Sequence, residues 1–175
     1  MIQPMLIARL RDGRAFSYVE VGRPEGQPVF FFHGGLQSCL VSHPDPGIVA
    51  DAGVRLISVD RPRFGRSDLV AERGLMDWPT DVEELAEALS LDRFAVLGWS
   101  AGGPYALACA RALAERVTTT VVVSGAGRLG RSGAVGEISA PAIRLGGRLA
   151  RRSFPLTRLA IRSCPAGAAG SRGTC

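Results

Sequence analysis

The sequence contains no lysine, because all 21 of its basic residues are arginine. A Walker-type phosphate loop is therefore excluded, since such a loop needs a lysine at its end. Histidine is almost as scarce, with only His33 and His43 in the whole chain. Residues 1–125 carry a net charge of −3, whereas residues 126–175, with nine arginines and one acid, carry +8. The basic part holds a single aromatic residue and no recognisable binding module, so we expect no nucleic-acid partner.

Cysteine motifs and long apolar runs are also missing. The four cysteines show no C-x-x-C spacing and no histidine at ligand spacing, so we expect no metal, and Cys109 is predicted to lie in the core. No apolar run approaches the roughly 20 residues of a membrane span. The opening residues do not form the pattern of a signal peptide, which predicts a cytoplasmic location. What is present is a chain of 175 residues, 46% hydrophobic, which suffices for one domain with a real core.

Short β-rich runs alternate with helical patterns through most of the chain. Two such runs, at 5–10 and 15–22, flank Asp12-Gly13, which is a strong hairpin signal. Four more strands are predicted at PVFFF, VRLISVD, RFAVLGW and TTTVVVS, and three helices at GIVADAG, TDVEELAEALSL and AGGPYALACARALAERV. Thr80 or Asp81 is expected to cap the second helix. This order predicts an α/β fold, a mostly parallel sheet with flanking helices and antiparallel strands at one edge.

The pattern changes after Gly125. Residues 126–162 contain two short basic amphipathic helices, whereas residues 163–175 are Gly-rich, lack periodicity and are expected to be disordered. The sequence therefore predicts a core at 1–125, a basic helical segment at 126–162 and a tail at 163–175. The arginine-rich helices could also bind a membrane surface, an alternative that vesicle co-sedimentation would test.

Residues 98–102 read G-W-S-A-G between a predicted strand and a predicted helix. A serine hydroxyl becomes an effective nucleophile when a base accepts its proton and hydrogen-bond donors receive the developing oxyanion. Gly98 and Gly102 leave room for a tight, strained bend that lifts the side chain of Ser100 above the sheet. The sequence therefore predicts Ser100 as a nucleophile and the N–H of Ala101 as one oxyanion donor.

A second donor is expected from the H-G-G loop that follows the earlier PVFFF strand. Gly35 is the candidate donor, and His33 and Gly34 are expected to support the site structurally. His43, in SHPDPG, is predicted to be an exposed loop residue. A reach from His43 to Ser100 finds no support in the spacing of the sequence.

These motifs together resemble the α/β-hydrolase superfamily of serine hydrolases, over about residues 30–125. H-G-G is similar to that family's oxyanion loop, GWSAGG to its nucleophile elbow, and DRPRFGRSD to its D-R-P-G-x-G-x-S loop, with Arg63 where the pattern has glycine. The resemblance implies an acyl-enzyme on Ser100, formed from an ester-, amide- or thioester-type small molecule without a cofactor or metal. It also implies an eight-stranded sheet and a helical lid, with which the basic segment 126–162 agrees.

The same resemblance implies an acid and a histidine that follow the serine along the chain. No histidine follows Ser100, and the only acids after it are Glu115 and Glu137. Glu115 is predicted at the far end of the helix that begins at the elbow, and Glu137 near the start of the lid. With about six of eight strands present, we expect a truncated or frameshifted hydrolase that is weakly active or inactive alone.

Two other functions stay open at this point. A non-catalytic binding protein or inactive paralogue on the same scaffold would also account for the missing histidine. Gly125, Gly127 and Gly130 form a G-x-G-x-x-G pattern after a strand, like a dinucleotide fingerprint. Two glycines and a proline interrupt the helix that this fingerprint requires, which weighs against it. Nothing in the sequence specifies an oligomeric state.

Overall fold

A computed structural model describes residues 4–41, 46–69 and 73–125 of the chain. Its strands are β1 (Leu6–Arg9), β2 (Ala15–Gly22), β3 (Gln27–Phe32), β4 (Val54–Val59), β5 (Phe94–Trp99) and β6 (Val117–Val123). These six described strands form one sheet in the order β1-β2-β4-β3-β5-β6. Strands β3 to β6 run parallel, whereas β1 and β2 add antiparallel pairing at one edge. The predicted α/β fold with a mostly parallel sheet is confirmed.

The helices in the described residues are α1 (Pro46–Asp51), α2 (Trp78–Ala88) and α3 (Gly103–Ala112). Single turns of 3-10 helix precede the last two, at Leu75–Asp77 and Ser100–Gly102. The prediction of a helix over 101–117 is wrong at both ends. Its first residues belong to the 3-10 turn, and Val117 is drawn into the sheet because it pairs with Phe94 of β5.

The predicted cap of α2 is also wrong. The helix begins at Trp78 with Asp77 at the N-cap, not at Thr80 or Asp81. Pro79 lies in the first turn, where backbone N–H groups have no acceptor within the helix, so a proline costs no hydrogen bond there. The helix therefore begins three or four residues earlier than the predicted caps allow, at residues that polar periodicity does not reveal.

Asp81 has a different role, as the centre of a buried ion-pair cluster. Its carboxylate accepts from Arg14 at 2.6 Å and from Arg73 at 2.7 Å, and only 1% of its side chain is exposed. Because Arg14 lies beside the β1–β2 turn, this cluster fixes α2 against the opening hairpin. Local sequence cannot tell a capping aspartate from one that pairs with arginines far along the chain.

The larger part of the core lies between the sheet and helices α2 and α3. Phe30 and Phe32 of β3 are fully buried, and Trp78 of α2 stacks edge-on against Phe32 with 5.4 Å between ring centroids. Cys109 is fully buried on α3, as predicted. Burying each such large side chain stabilises the fold by roughly 1.5–3 kcal/mol. The packing fixes the carboxyl end of β3, and with it the loop that follows.

The sheet ends at β6 within the described residues. The three consecutive valines of this strand, Val121, Val122 and Val123, are exposed by 44%, 40% and 47%. No helix in the described ranges has the length and apolar character needed to cross a bilayer. The predicted lid, the tail, His43, Glu137 and two glycines of the fingerprint lie outside the described residues.

Candidate active site

Ser100 lies in the short 3-10 turn between β5 and α3 and is partly exposed. Its φ is 52°, in the left-handed region, whereas Trp99 before it is extended. A left-handed conformation costs a residue with a side chain roughly 1–2 kcal/mol. Strain of this kind persists only where the surrounding structure enforces it, and it clusters at functional sites.

Two glycines enforce this bend through close backbone approach. A methyl group at Gly102 would lie 2.0 Å from the carbonyl oxygen of Phe32, at the end of β3. A methyl group at Gly98 would lie 2.5 Å from the carbonyl oxygen of Gly102 itself. Neither position has room for a side chain, so α3 begins directly against the ends of β3 and β5.

The loop at 33–35 lies beside Ser100, as the sequence predicts. A methyl group at Gly34 would lie 3.5 Å from the Cβ of Ser100, and one at Gly35 would lie 3.9 Å from the Cβ of Ala101. This meeting follows from the topology, because β3 and β5 are parallel neighbours whose carboxyl ends lie at one edge. Ligands of open α/β sheets bind at that edge.

Backbone N–H groups without acceptors flank the serine. The N–H of Gly34 is already bound, since it donates to Oε1 of Gln37 at 2.9 Å. Gly35 is exposed, and its N–H has no acceptor within the described parts of the chain. The N–H of Ala101 belongs to the first turn of a helical segment, where no intrahelical acceptor exists. An oxyanion site requires two such donors close to the nucleophile.

His33 is fully buried and both of its ring nitrogens have partners. Nδ1 donates to the carbonyl of Gly34 at 2.8 Å, and Nε2 accepts the N–H of Arg61 at 3.4 Å. Burial, with the nearby Arg61 cation adding to it, lowers the pKa of His33 to about 4. The imidazole is therefore neutral near pH 7 and holds two backbone segments together.

Asp60, at the carboxyl end of β4, is a fully buried acceptor to which the sequence analysis assigned no role. It accepts from Oγ of Ser17 at 2.6 Å, from the N–H of Cys39 at 2.6 Å and from the thiol of Cys39 at 3.2 Å. Burial and the Asp60 charge together raise the pKa of the Cys39 thiol above its usual value, so this thiol stays protonated. The carboxylate ties the chain after the 33–35 loop to β2 and β4.

Arg61 is a second residue whose place the sequence analysis missed. Only 7% of the residue is exposed, and its Nη2 donates to the carbonyl of Gly34 at 2.8 Å. The guanidinium lies over the rings of Phe64 and Tyr105, at 4.7 and 5.1 Å from their centroids. Burial lowers its pKa. A charged residue directly after an apolar strand, inside DRPRFGRSD, was the one available signal.

Arg63, in the same loop, has a φ of 78°. It stands where the family pattern has glycine, the residue that adopts this conformation without steric cost. The exposed side chain leaves room for the arginine, so the loop keeps its turn and bears the strain.

A base beside Ser100 is absent from the described residues. The ring nitrogens of His33 are committed to backbone groups. Glu115 is exposed beyond the C-terminal end of α3, a helix of 10 residues and hence about 15 Å long, with Ser100 at the other end. The described part of the chain thus brings together a serine and two open N–H groups, but no group to accept the serine proton.

Comparison with known proteins identifies the family. Residues 27–138, more than half of the chain, match the family model of the alpha/beta hydrolase fold. The chain belongs to the α/β hydrolase fold family. The predicted family is confirmed, and the members that the chain resembles include hydrolases, peptidases and esterases.

Two curated relatives of this chain illustrate the range. The 2-hydroxy-6-oxo-6-phenylhexa-2,4-dienoate hydrolase of Comamonas testosteroni is 36% identical over 121 residues, which are 66% of this chain and 41% of that protein. The proline iminopeptidase of Neisseria gonorrhoeae is 32% identical over 106 residues, 59% of this chain and 34% of that protein. The chain spans 34–42% of the length of the curated relatives it matches.

A solved structure gives the same result. The esterase from Exiguobacterium antarcticum superposes with a TM-score of 0.54 at 25% identity, over 68% of this chain and 44% of the esterase. Sequence and fold comparisons therefore point to one family, whose members carry out several reactions.

Proposed function

We propose that the protein is a serine hydrolase in which Ser100 attacks the carbonyl carbon of a small ester, amide or thioester. The observation that carries this proposal is the strained φ of 52° at Ser100, beside two open N–H groups. A left-handed residue on a tight strand-to-helix turn is the conformation that raises a nucleophile above the sheet. The confirmed family supports the same chemistry.

The proposed reaction has two steps. Oγ of Ser100 forms a bond to the substrate carbonyl carbon, and its proton passes to a base. The N–H groups of Gly35 and Ala101 bind the carbonyl oxygen as it becomes an anion. Collapse of the intermediate breaks the bond to the leaving alcohol, amine or thiol, which takes the proton from the base. A water molecule then repeats the sequence on the acyl-enzyme and releases the acid.

We further propose that a polypeptide of these 175 residues is weakly active or inactive alone. No histidine follows Ser100 in this sequence, and His33 is bound to backbone groups. Loss of the serine or its histidine in an enzyme of this type costs on the order of 10⁶ in kcat. An oxyanion site and substrate binding retain roughly 10³–10⁴ over water.

For the substrate we propose only that it carries an acyl group. A dienoate hydrolase, a peptidase and an esterase are among the relatives, so the leaving group differs from one to the next. We also propose that the substrate is a small molecule and that the protein acts in the cytoplasm. Neither a cofactor nor a metal is proposed, because acyl transfer to serine requires neither.

Supplying the missing base from solution tests the proposal. The purified chain is assayed with p-nitrophenyl acetate at increasing imidazole, beside the Ser100→Ala chain as the measure of uncatalysed and imidazole-catalysed hydrolysis. We expect little difference between the two chains without imidazole. With imidazole, turnover by the wild type should exceed that of Ser100→Ala and saturate with substrate, because a free base can take the serine proton.

Two results would contradict parts of the proposal. Strong turnover by the wild type without imidazole, abolished by Ser100→Ala, would show that the chain is not inactive alone. Equal turnover by both chains at every imidazole concentration would overturn Ser100 as nucleophile and favour a non-catalytic binding protein on the same scaffold.

A further inference from the structure

The carbonyl of Gly34 has an unusual set of partners for a loop residue. It accepts from Nδ1 of His33 and from Nη2 of Arg61, each at 2.8 Å. Both donors are buried, His33 completely and Arg61 to all but 7%. This carbonyl therefore points into the protein interior, and two side chains from separate elements hold it there.

The direction of that carbonyl fixes the direction of the next N–H. The described residues contain no cis peptide bond, so the peptide between Gly34 and Gly35 is trans and planar. In a trans peptide the C=O and the N–H point in opposite directions. With the Gly34 oxygen turned inward, the Gly35 N–H turns away from the interior. Gly35 is exposed, and a methyl group on it would lie 3.9 Å from the Cβ of Ala101 in the elbow.

We propose that Arg61 is a positioning residue, which together with His33 holds the Gly34 carbonyl inward and so aims the Gly35 N–H at the oxyanion of a substrate bound to Ser100. The proposal rests on the proposed function, because it assigns a purpose to the donor that this function needs. It concerns a residue that contacts neither Ser100 nor the reacting atoms.

The surroundings of Arg61 suit a fixed donor. No ion pair of the described residues includes Arg61, and its Nε has no hydrogen-bond partner there. Two aromatic rings flank the guanidinium and support its charge instead of a carboxylate. Burying a charge without an opposite charge is costly, so fold stability alone does not account for an arginine at this position.

The charge also acts on the peptide it holds. A cation bound to the Gly34 oxygen polarises the peptide group, which makes the N–H on its other side a stronger donor. Hydrogen bonds in such chains strengthen one another by about 10–30%. Glycine at 34 and 35 leaves this peptide free to rotate once its partners are removed. The hydrogen bonds from His33 and Arg61 to the Gly34 carbonyl therefore keep the Gly35 N–H from turning away.

The first measurement reads the loop itself and does not depend on activity. NMR spectra of the labelled chain give the carbonyl carbon shift of Gly34 and the amide signal of Gly35 in the wild type, Arg61→Met and Arg14→Met. Arg14 is a partly buried arginine paired with Asp81 and serves as the matched control. We expect an upfield shift of the Gly34 carbonyl and a broadened Gly35 amide in Arg61→Met, and neither change in Arg14→Met.

The second measurement reads the consequence for catalysis with p-nitrophenyl acetate and imidazole. Arg61→Met should lower the serine-dependent kcat by about 10- to 100-fold with KM within about twofold, since a displaced donor weakens only the transition state. Arg61→Lys, which keeps the charge and one donor, should recover part of the loss. Arg14→Met should leave kcat unchanged even where it lowers the melting temperature.

The outcomes separate the two proposals. An unchanged Gly34–Gly35 signal in Arg61→Met, or a changed signal with wild-type kcat, would overturn the positioning role while Ser100 keeps its own. If Ser100→Ala is as active as the wild type, the proposed function fails, and the NMR comparison alone then decides whether Arg61 holds this peptide.

Discussion

Two neighbouring regions at the same edge of the sheet treat their polar groups in opposite ways. In the loop after β4, residues 60–68, the carboxylate of Asp60 accepts hydrogen bonds from Ser17 and Cys39. The elbow region, residues 33–35 and 98–102, instead leaves two N–H groups without acceptors and holds Ser100 in a strained conformation. Saturated polar groups hold a structure together, whereas unsaturated ones in a strained setting are available for chemistry.

Arg61 and His33 join the two regions. Both reach from buried positions to the carbonyl of Gly34, so the saturated loop supports the open one. The comparison predicts that loss of the saturated carboxylate of Asp60 acts mainly on stability, and that loss of the Ser100 hydroxyl acts mainly on serine chemistry. The following predictions test that division.

The largest expected effect is at Asp60. Asp60→Ala leaves the hydroxyl of Ser17 and the N–H of Cys39 buried without their acceptor, which should lower the free energy of unfolding by about 3–5 kcal/mol. Urea unfolding followed by circular dichroism measures it. Asp92→Ala, at an exposed site, is the control and should stay within about 0.5 kcal/mol. Equal effects of the two changes would contradict the structural role of Asp60.

The next effect is a loss of stability in mild acid that depends on His33. The pKa of His33 is lowered from 6.5 to about 4 in the folded chain, so between these values the unfolded chain binds a proton that the folded chain does not. Stability therefore falls as the pH drops from 6.5 to 4, by on the order of 3 kcal/mol. The free energy of unfolding, measured across this range, should change more steeply with pH in the wild type than in His33→Asn. Parallel curves would show that His33 is not held neutral.

A smaller effect separates the two glycines of the elbow region that differ most in free space. Gly102→Ala places a methyl group 2.0 Å from the Phe32 carbonyl oxygen and should cost about 1–3 kcal/mol in stability. Gly35→Ala meets nothing closer than 3.9 Å and should cost less than about 0.5 kcal/mol. Melting temperatures of the two variants provide the comparison. A reversed order would mean that α3 does not begin against β3.

The smallest effect compares the left-handed residues of the two regions. Arg63→Gly and Ser100→Gly should each be more stable than the matching alanine variant by about 1 kcal/mol, because glycine relieves the strained φ of 78° or 52°. Serine-dependent turnover should persist in Arg63→Gly and vanish in Ser100→Gly. A Ser100→Gly chain no more stable than Ser100→Ala would show that the backbone at residue 100 is not strained.

Most of the sheet could be predicted from the sequence, because apolar runs and their bounding glycines reflect local physics. The bend at Ser100 was predictable for the same reason, since Gly98 and Gly102 stand on either side of it. The roles of Asp81 and Arg61 could not be predicted in this way. Arg61 meets Gly34 across 27 positions and Asp81 meets Arg14 across 67, and no periodicity records such partners.

The most direct test of the account is covalent labelling of the serine by an alkyl p-nitrophenyl phosphonate, which leaves a stable adduct. The 175-residue chain is treated with and without imidazole, digested and mapped by mass spectrometry beside Ser100→Ala. We expect one phosphonyl group on Ser100, formed faster with imidazole and absent from the variant. An unmodified Ser100, or equal labelling of other hydroxyl side chains, would contradict it.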